Sequence, residues 1–133
     1  MREIKFRAWD HFNKEMLNPH DTNNNKKDLS WFFNQFEACD KNGIRLSLMQ
    51  FTGLVDKNGN EIYEGDLMEV PVNDTMREGT HEVFYYHDGF VTSSILFSDK
   101  ETANKNSLTW IINRGAKVIG NIFENPRLLA GGV

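Results

Sequence analysis

Two groups of residues have the types and spacing to do chemistry. Lys5, Arg7 and Trp9 stand at alternate positions near the start of the chain, and alternate side chains of an extended strand share a face. Two cations beside an indole would grip a phosphate backbone while the ring stacks on a base. The competing reading is structural: Trp9 packs on another part of the chain, such as the segment around Phe32, with Lys5 and Arg7 as a solvated rim. A formal net charge of −4 gives the patch little reinforcement, so the structural reading is preferred. Glu61, Glu64 and Asp66 form the second group, an acidic cluster whose oxygens suit a hard cation such as magnesium. On one strand lead-in those side chains need not converge.

Other polar residues fail the chemistry they suggest. Asp56, Asn58 and Asn60 alternate like the opening of a calcium loop, but Glu61 takes the sixth position where Gly is required and Leu67 the twelfth where Glu is required. His81 and His87 are six residues apart, roughly 20 Å along a strand, which is too far to chelate one ion. The single cysteine, Cys39, excludes an intramolecular disulfide, and its neighbours Glu37, Ala38 and Asp40 do not favour a thiolate. No Gly-x-Ser-x-Gly or phosphate loop occurs. The sequence therefore offers no catalytic residue, no metal ligand set and no cofactor site.

The elements that must position these residues are mostly strands. Ile4 to Trp9 alternates with Ile4, Phe6 and Ala8 on one face, as a half-buried strand does. Asp10 to Asn13 supplies a turn, Met16-Leu17 pairs back, and Asn18-Pro19 ends the opening hairpin. His20 to Asp28 is a polar surface loop, and Leu29, Phe32, Phe33 and Phe36 have the spacing of a short helix with Asp28 as its cap. Asp40-Lys41-Asn42-Gly43 and Asp56-Lys57-Asn58-Gly59 are the same tetrapeptide, which predicts two tight turns, because both Asn and Gly tolerate positive φ. Between them Ile44 to Val55 is a strand with a bend at Gly53. Gly65-Asp66 leads into Leu67 to Val72. His81 to Tyr86, Phe90 to Phe97, Leu108 to Ile112 and Lys117 to Phe123 follow as strands, and Pro126 to Leu129 as a closing turn with Asn125 as cap. Short strands separated by turn signals point to a small barrel or sandwich.

Whole-chain properties set the bounds. The 133 residues suit one domain. With 39% hydrophobic and 26% charged residues the chain is a folded globule, and its acidic balance argues against a surface that traps phosphates everywhere. The charged start MREIKFRAWD lacks a secretory apolar stretch and no run approaches a membrane span, so the expected location is the cytoplasm, with no membrane partner.

Three motifs in order carry a resemblance to a family. They are Ile4-Lys5-Phe6-Arg7-Ala8-Trp9-Asp10; Met49-Gln50-Phe51-Thr52-Gly53-Leu54 with Asp56-Lys57-Asn58-Gly59 and Glu61-Ile62-Tyr63-Glu64-Gly65-Asp66; and Val118-Ile119-Gly120-Asn121-Ile122-Phe123-Glu124-Asn125-Pro126. With them the chain resembles the YopX family of small bacteriophage and prophage proteins nearly end to end, least from Met16 to Ser47. The resemblance implies an SH3-like β barrel over Gln50 to Phe123 and no established activity. It also implies that Gly53, Asn58, Gly59, Gly65 and Asp66 serve turns, with Asp66 bonding local backbone amides.

The expected fold is thus mostly β: an SH3-like small barrel with an N-terminal hairpin and extension (1–49), a barrel core (50–123), a C-terminal turn and tail (124–133) and one or two short helices. The expected function is a non-enzymatic phage or prophage accessory protein in the bacterial host cell that binds a protein or copies of itself. Small barrels have strand edges and shallow aromatic surfaces that suit this. The alternative is a single-stranded nucleic-acid-binding protein acting through Lys5, Arg7 and Trp9. A third reading is a metal-dependent hydrolase built on Glu61, Glu64 and Asp66.

Overall fold

The computed structural model describes residues 4–18, 46–71, 79–87, 89–95, 100–101 and 104–129. The polar loop, the helix predicted from Leu29 to Phe36, Cys39, the first Asp-Lys-Asn-Gly turn and Val72 lie outside the described residues. The chain divides into two compact units, Met1–Phe51 and Thr52–Val133.

In the first unit β1 (Phe6–Asp10) pairs antiparallel with β2 (Glu15–Leu17), Ala8 opposite Leu17 and Asp10 opposite Glu15. On its other side β1 pairs with the first half of β3 (Leu46–Val55), Phe6 opposite Gln50 and Asp10 opposite Leu46. The hairpin is the one the sequence predicts, with Lys14 at φ 56° completing its turn. Ala8, Leu17 and Leu46 form the unit's buried cluster. The predicted alternation holds only in part. Ile4 precedes the strand and is 69% exposed, whereas Ala8, Trp9 and Asp10 are buried in succession, so both faces of the end of β1 are covered.

The second unit begins with the remainder of β3, which lies beside β4 (Glu61–Tyr63). A five-stranded antiparallel sheet follows, built from β5 (Asp66–Val70), β6 (Gly79–Tyr86), β7 (Gly89–Ser94), β8 (Asn106–Ser107) and β9 (Lys117–Asn121) in the order β8-β7-β6-β5-β9. It curls as a half-barrel, the mostly β, small-barrel architecture expected. Between Leu67 and Met68 the register with β9 shifts, placing Leu67 opposite Gly120 but Met68 opposite Val118, so Ile119 is the extra residue of a bulge. Ile62, Met68, Val70, Val83, Leu108, Ile111 and Ala116 form the core, with Phe90, Ile112 and Val118 packed against it.

Several sequence expectations are corrected. Leu108 to Ile112 is a helix, α1 (Leu108–Asn113), rather than a strand. Ser107 caps it by accepting the Trp110 amide at 3.1 Å, Leu108 and Ile111 bury one face three residues apart, and Gly115 at φ 90° follows its end. The strand predicted to Phe97 ends at Ser94, and that predicted to Phe123 ends at Asn121. The second Asp-Lys-Asn-Gly segment forms the predicted tight turn without using the positive φ that Asn58 tolerates. Gly59 alone has it, at 84°, after a bond from its amide to the Asp56 carbonyl (3.0 Å), and the loop closes with Asp56 N to Asn60 O (2.9 Å). This is the three-residue hairpin built on an ordinary turn and a left-handed glycine. Finally, Pro126–Leu129 is a 3-10 turn, but the Asn125 side chain points back to Asn121 instead of capping it.

Candidate functional site

The buried polar side chains of the motifs converge on backbone amides. Asp10 is fully buried; its Oδ1 accepts from the amides of Phe12 (2.9 Å) and Asn13 (3.2 Å), and its Oδ2 from Asn13 Nδ2 (2.9 Å). Asp66 Oδ2 accepts from Tyr63 N at 2.8 Å, closing the β4–β5 turn over Glu64 and Gly65. Gly65, at φ 85°, bonds on both sides: its amide to the Val83 carbonyl and its carbonyl to the Ile122 amide, each at 2.9 Å. At Gly53, φ 88°, the Thr52 hydroxyl takes up the bend by donating to the Ile62 carbonyl (2.7 Å) and accepting from Leu54 N (3.2 Å).

Asp56 does the most. Only 4% exposed, it accepts at Oδ1 from Asn58 N and Asn60 N, both at 2.9 Å, and at Oδ2 from Asn60 Nδ2 (3.2 Å) and from Val118 N (2.9 Å), 62 residues along the chain. Burial pushes its carboxyl up, but the amides of Val118, Asn60 and Asn58 and the Asn60 side chain stabilise the charged form. Together they hold it below its ordinary 3.8. Asn121 repeats the device at the other end of β9. Its Oδ1 accepts from Phe123 N (3.0 Å) and Glu124 N (2.8 Å), and its Nδ2 donates to Glu124 Oε1 (2.7 Å).

The residues singled out for chemistry fare differently. Trp9 is 8% exposed, so its ring cannot stack on a base as it stands, and Lys5 Nζ lies 5.0 Å from the Phe51 ring. Arg7 is half-buried. Of the acidic cluster, Asp66 is turned into its own turn while Glu61 is exposed and Glu64 half-buried. Among the described residues no three His, Cys, Asp or Glu side chains come together as a metal-holding group. His81 is fully buried, its Nδ1 3.3 Å from Thr92 Oγ1, and His87 is exposed at φ 57° with its ring edge-on to Tyr86, so the two imidazoles stand in different surroundings.

Sequence reasoning missed the outward face of β6. Phe84 and Tyr86 share it, edge-on at 6.4 Å, with Lys100 Nζ 4.9 Å above Phe84 and Lys105 Nζ 4.1 Å above Tyr86. Lys100 also pairs with Glu82 at 2.7 Å, and the Tyr86 hydroxyl donates to Glu101 (3.1 Å). Partial desolvation, the bond to Glu101 and its negative charge raise the Tyr86 phenol above its ordinary 10.0. A recess of about 160 Å³ opens here among Glu82, Phe84, Ser93, Lys100 and Leu129, its two rim charges neutralising each other. The alternation of Glu82, Phe84 and Tyr86 was a readable signal, but the lysines come from 16 or more residues away. Elsewhere on the unit Tyr85 is 51% exposed, leaning edge-on against Phe90 at 5.1 Å, and Trp110 is 39% exposed under the Arg114 guanidinium at 4.4 Å. Among the described residues no helix is long and apolar enough to cross a membrane.

Comparison with known proteins places this geometry in context. A profile of the family described as "YopX protein" matches residues 5–130. The crystal structure of protein EF1440 from Enterococcus faecalis is 28% identical, with a TM-score of 0.60 over 97% of this chain and 99% of that one. No curated protein matches the chain significantly.

Proposed function

The chain belongs to the YopX family, and from that premise we propose that it is a non-enzymatic accessory protein of a phage or prophage, acting inside the bacterial cell as a small β-barrel interaction module that binds a protein or its own copies. One contrast carries the reading. The motif side chains that a catalyst would need, Asp10, Asp56, Asp66 and Asn121, are buried and bonded to backbone amides. Large side chains of the second unit, Leu54, Val55, Tyr85 and Trp110, are instead held at the surface. Exposed aromatics of this kind are the usual anchors of protein interfaces.

The nucleic-acid reading has less support, because Trp9 is buried and does not offer its ring to a base. The hydrolase reading lacks a convergent acidic group among the described residues.

The test is light scattering of the full chain together with nuclease-treated affinity capture from host lysate, repeated with Tyr85→Ala and Trp110→Ala. The expected outcome is self-association or a specific protein partner, weakened about tenfold or more by at least one of the two truncations. A strict monomer that recovers no protein, or binding indifferent to both truncations, removes the proposal. Salt-dependent oligonucleotide binding lost in Arg7→Ala would favour the alternative.

A further inference from the structure

The hairpin organised by Asp56 places an Asn-Gly bond at the surface. Asn58 and Gly59 are both exposed, and a Cβ added at Gly59 would meet nothing within 4 Å. An exposed asparagine followed by glycine carries its own reaction. The glycine nitrogen, once its proton is lost to solvent, attacks the asparagine side-chain carbonyl carbon. The new C–N bond closes a five-membered imide, and the side-chain nitrogen leaves as ammonia, taking up a proton. Water then opens the imide at either carbonyl, giving aspartate or isoaspartate. Glycine in second place favours closure because no Cβ crowds the attacking nitrogen. The folded turn opposes it. Gly59 N donates to Asp56 O (3.0 Å), so the attacking atom has its proton held in a bond. Asp56 Oδ1 accepts from Asn58 N and Asn60 N, both at 2.9 Å, which pins the chain on either side of Gly59. Neither Lys57 nor Asn58 has positive φ, and with the bond from Gly59 to Asp56 this makes a type I turn. Such a turn sets ψ at its third residue, here Asn58, to about 0°. Closure needs Gly59 N rotated into line with the Asn58 Cβ, and that rotation breaks the bond to Asp56.

We propose that Asn58 is a site of spontaneous deamidation and that Asp56 is its guard: the closed turn withholds the Gly59 nitrogen, and each opening of the hairpin exposes Asn58 to conversion. The net reaction consumes one water and releases one ammonia. Isoaspartate is the product that matters for the fold. It sends the main chain through the side-chain carbons, which adds one backbone atom between residue 58 and Gly59 and leaves a free carboxylate near the buried charge of Asp56. A turn one atom longer does not return the amides of residues 58 and 60 to one Oδ1 in the same register. Because Asp56 also accepts from Val118 N, 62 residues along the chain, a change at the tip of the hairpin reaches β9. The carboxylate thus does two things at once, fastening the turn to a distant strand and keeping its outermost peptide bond from rearranging.

Peptide mapping by mass spectrometry of the full-length wild type, aged in mildly alkaline buffer with and without guanidinium chloride, is the first test. Asn42, in the same Asp-Lys-Asn-Gly tetrapeptide, reports that the denaturing medium supports the reaction. In guanidinium Asn58 should convert alongside Asn42. In native buffer Asn58 should convert at least about tenfold more slowly than in guanidinium, and exchange of the Gly59 amide, which needs the same opening, should be slowed at least about tenfold too. If Asn58 stays intact in guanidinium while Asn42 converts, there is no site; if Asn58 converts equally fast in both buffers, there is no guard. Asp56→Ala, under conditions where circular dichroism shows it folded, should recover most of the guanidinium rate, and a folded variant as slow as wild type contradicts the role of Asp56. Should that variant not fold, Asn60→Ala removes one bond to Asp56 Oδ2 and keeps the backbone ones, and it should speed conversion about threefold; an unchanged rate overturns the guard. The isoaspartate form, separated by its added charge, should unfold at a lower guanidinium concentration than the unconverted chain. An equal midpoint contradicts the reach of the modification.

Discussion

Asp10 in the first unit and Asp56 in the second stand at the last residue before a tight turn, and each accepts two amides and one asparagine side chain from the next three or four residues. Both are buried. To these bonds Asp56 adds Val118 N from 62 residues away. The local bonds of Asp10 organise a hairpin; those of Asp56 organise a hairpin, and its bond to Val118 fastens that hairpin to a distant strand. The same local pattern is thus joined at Asp56 to a bond of long reach.

Truncation is the strongest way to break that comparison. Asp56→Ala should cost about 3 kcal/mol in urea unfolding, since it strips charge-assisted bonds and leaves the Val118 and Asn60 amides without their acceptor. Asp10→Ala should cost about 1 to 2 kcal/mol, the range for losing a local capping side chain. Equal losses would mean that the long-range bond contributes nothing.

Acid sharpens the comparison. Because the folded Asp56 carboxyl lies below its ordinary 3.8, its contribution is fully present above about pH 4 and is lost as pH falls through the depressed folded value. The wild-type unfolding midpoint should therefore fall more steeply below about pH 4 than that of Asp56→Ala, measured at matched ionic strength. Parallel pH profiles would show that the carboxylate is not linked to stability.

The smallest effect belongs to the solvent side of the second unit. Glu101→Gln should lower the pH at which the Tyr86 phenol ionises, read as the ultraviolet difference spectrum against Tyr86→Phe, with no resolved change in unfolding midpoint. An unchanged titration would remove the Tyr86–Glu101 contact from the account.

How much of this was legible in the sequence follows the same division between local and distant. Asp56-Lys57-Asn58-Gly59 reads as a hairpin because its bonds close within five residues, and the opening hairpin reads for the same reason. Its bond to Val118 has no local signature. Leu108 to Ile112 misled because a short run rich in apolar residues fits a strand or a helix; Ser107 and Gly115, the cap and stop, were the better guide. Alternation also placed Trp9 beside Lys5 and Arg7, but its burial depends on residues that periodicity in one strand does not register. The burial of Trp9 is what the preferred structural reading of that group expected, against base stacking. The Asp and Gly residues assigned to turns sit at turns and bends of the fold.

The most direct test of the claim that motif side chains hold the fold from a distance is a matched pair, Asp56→Asn and Asp10→Asn, unfolded in urea at neutral pH. Both keep an amide oxygen for their turns, and only the first sets a donor against Val118. The account predicts that Asp56→Asn loses at least about 1 kcal/mol more than Asp10→Asn. Equal or reversed losses would contradict it.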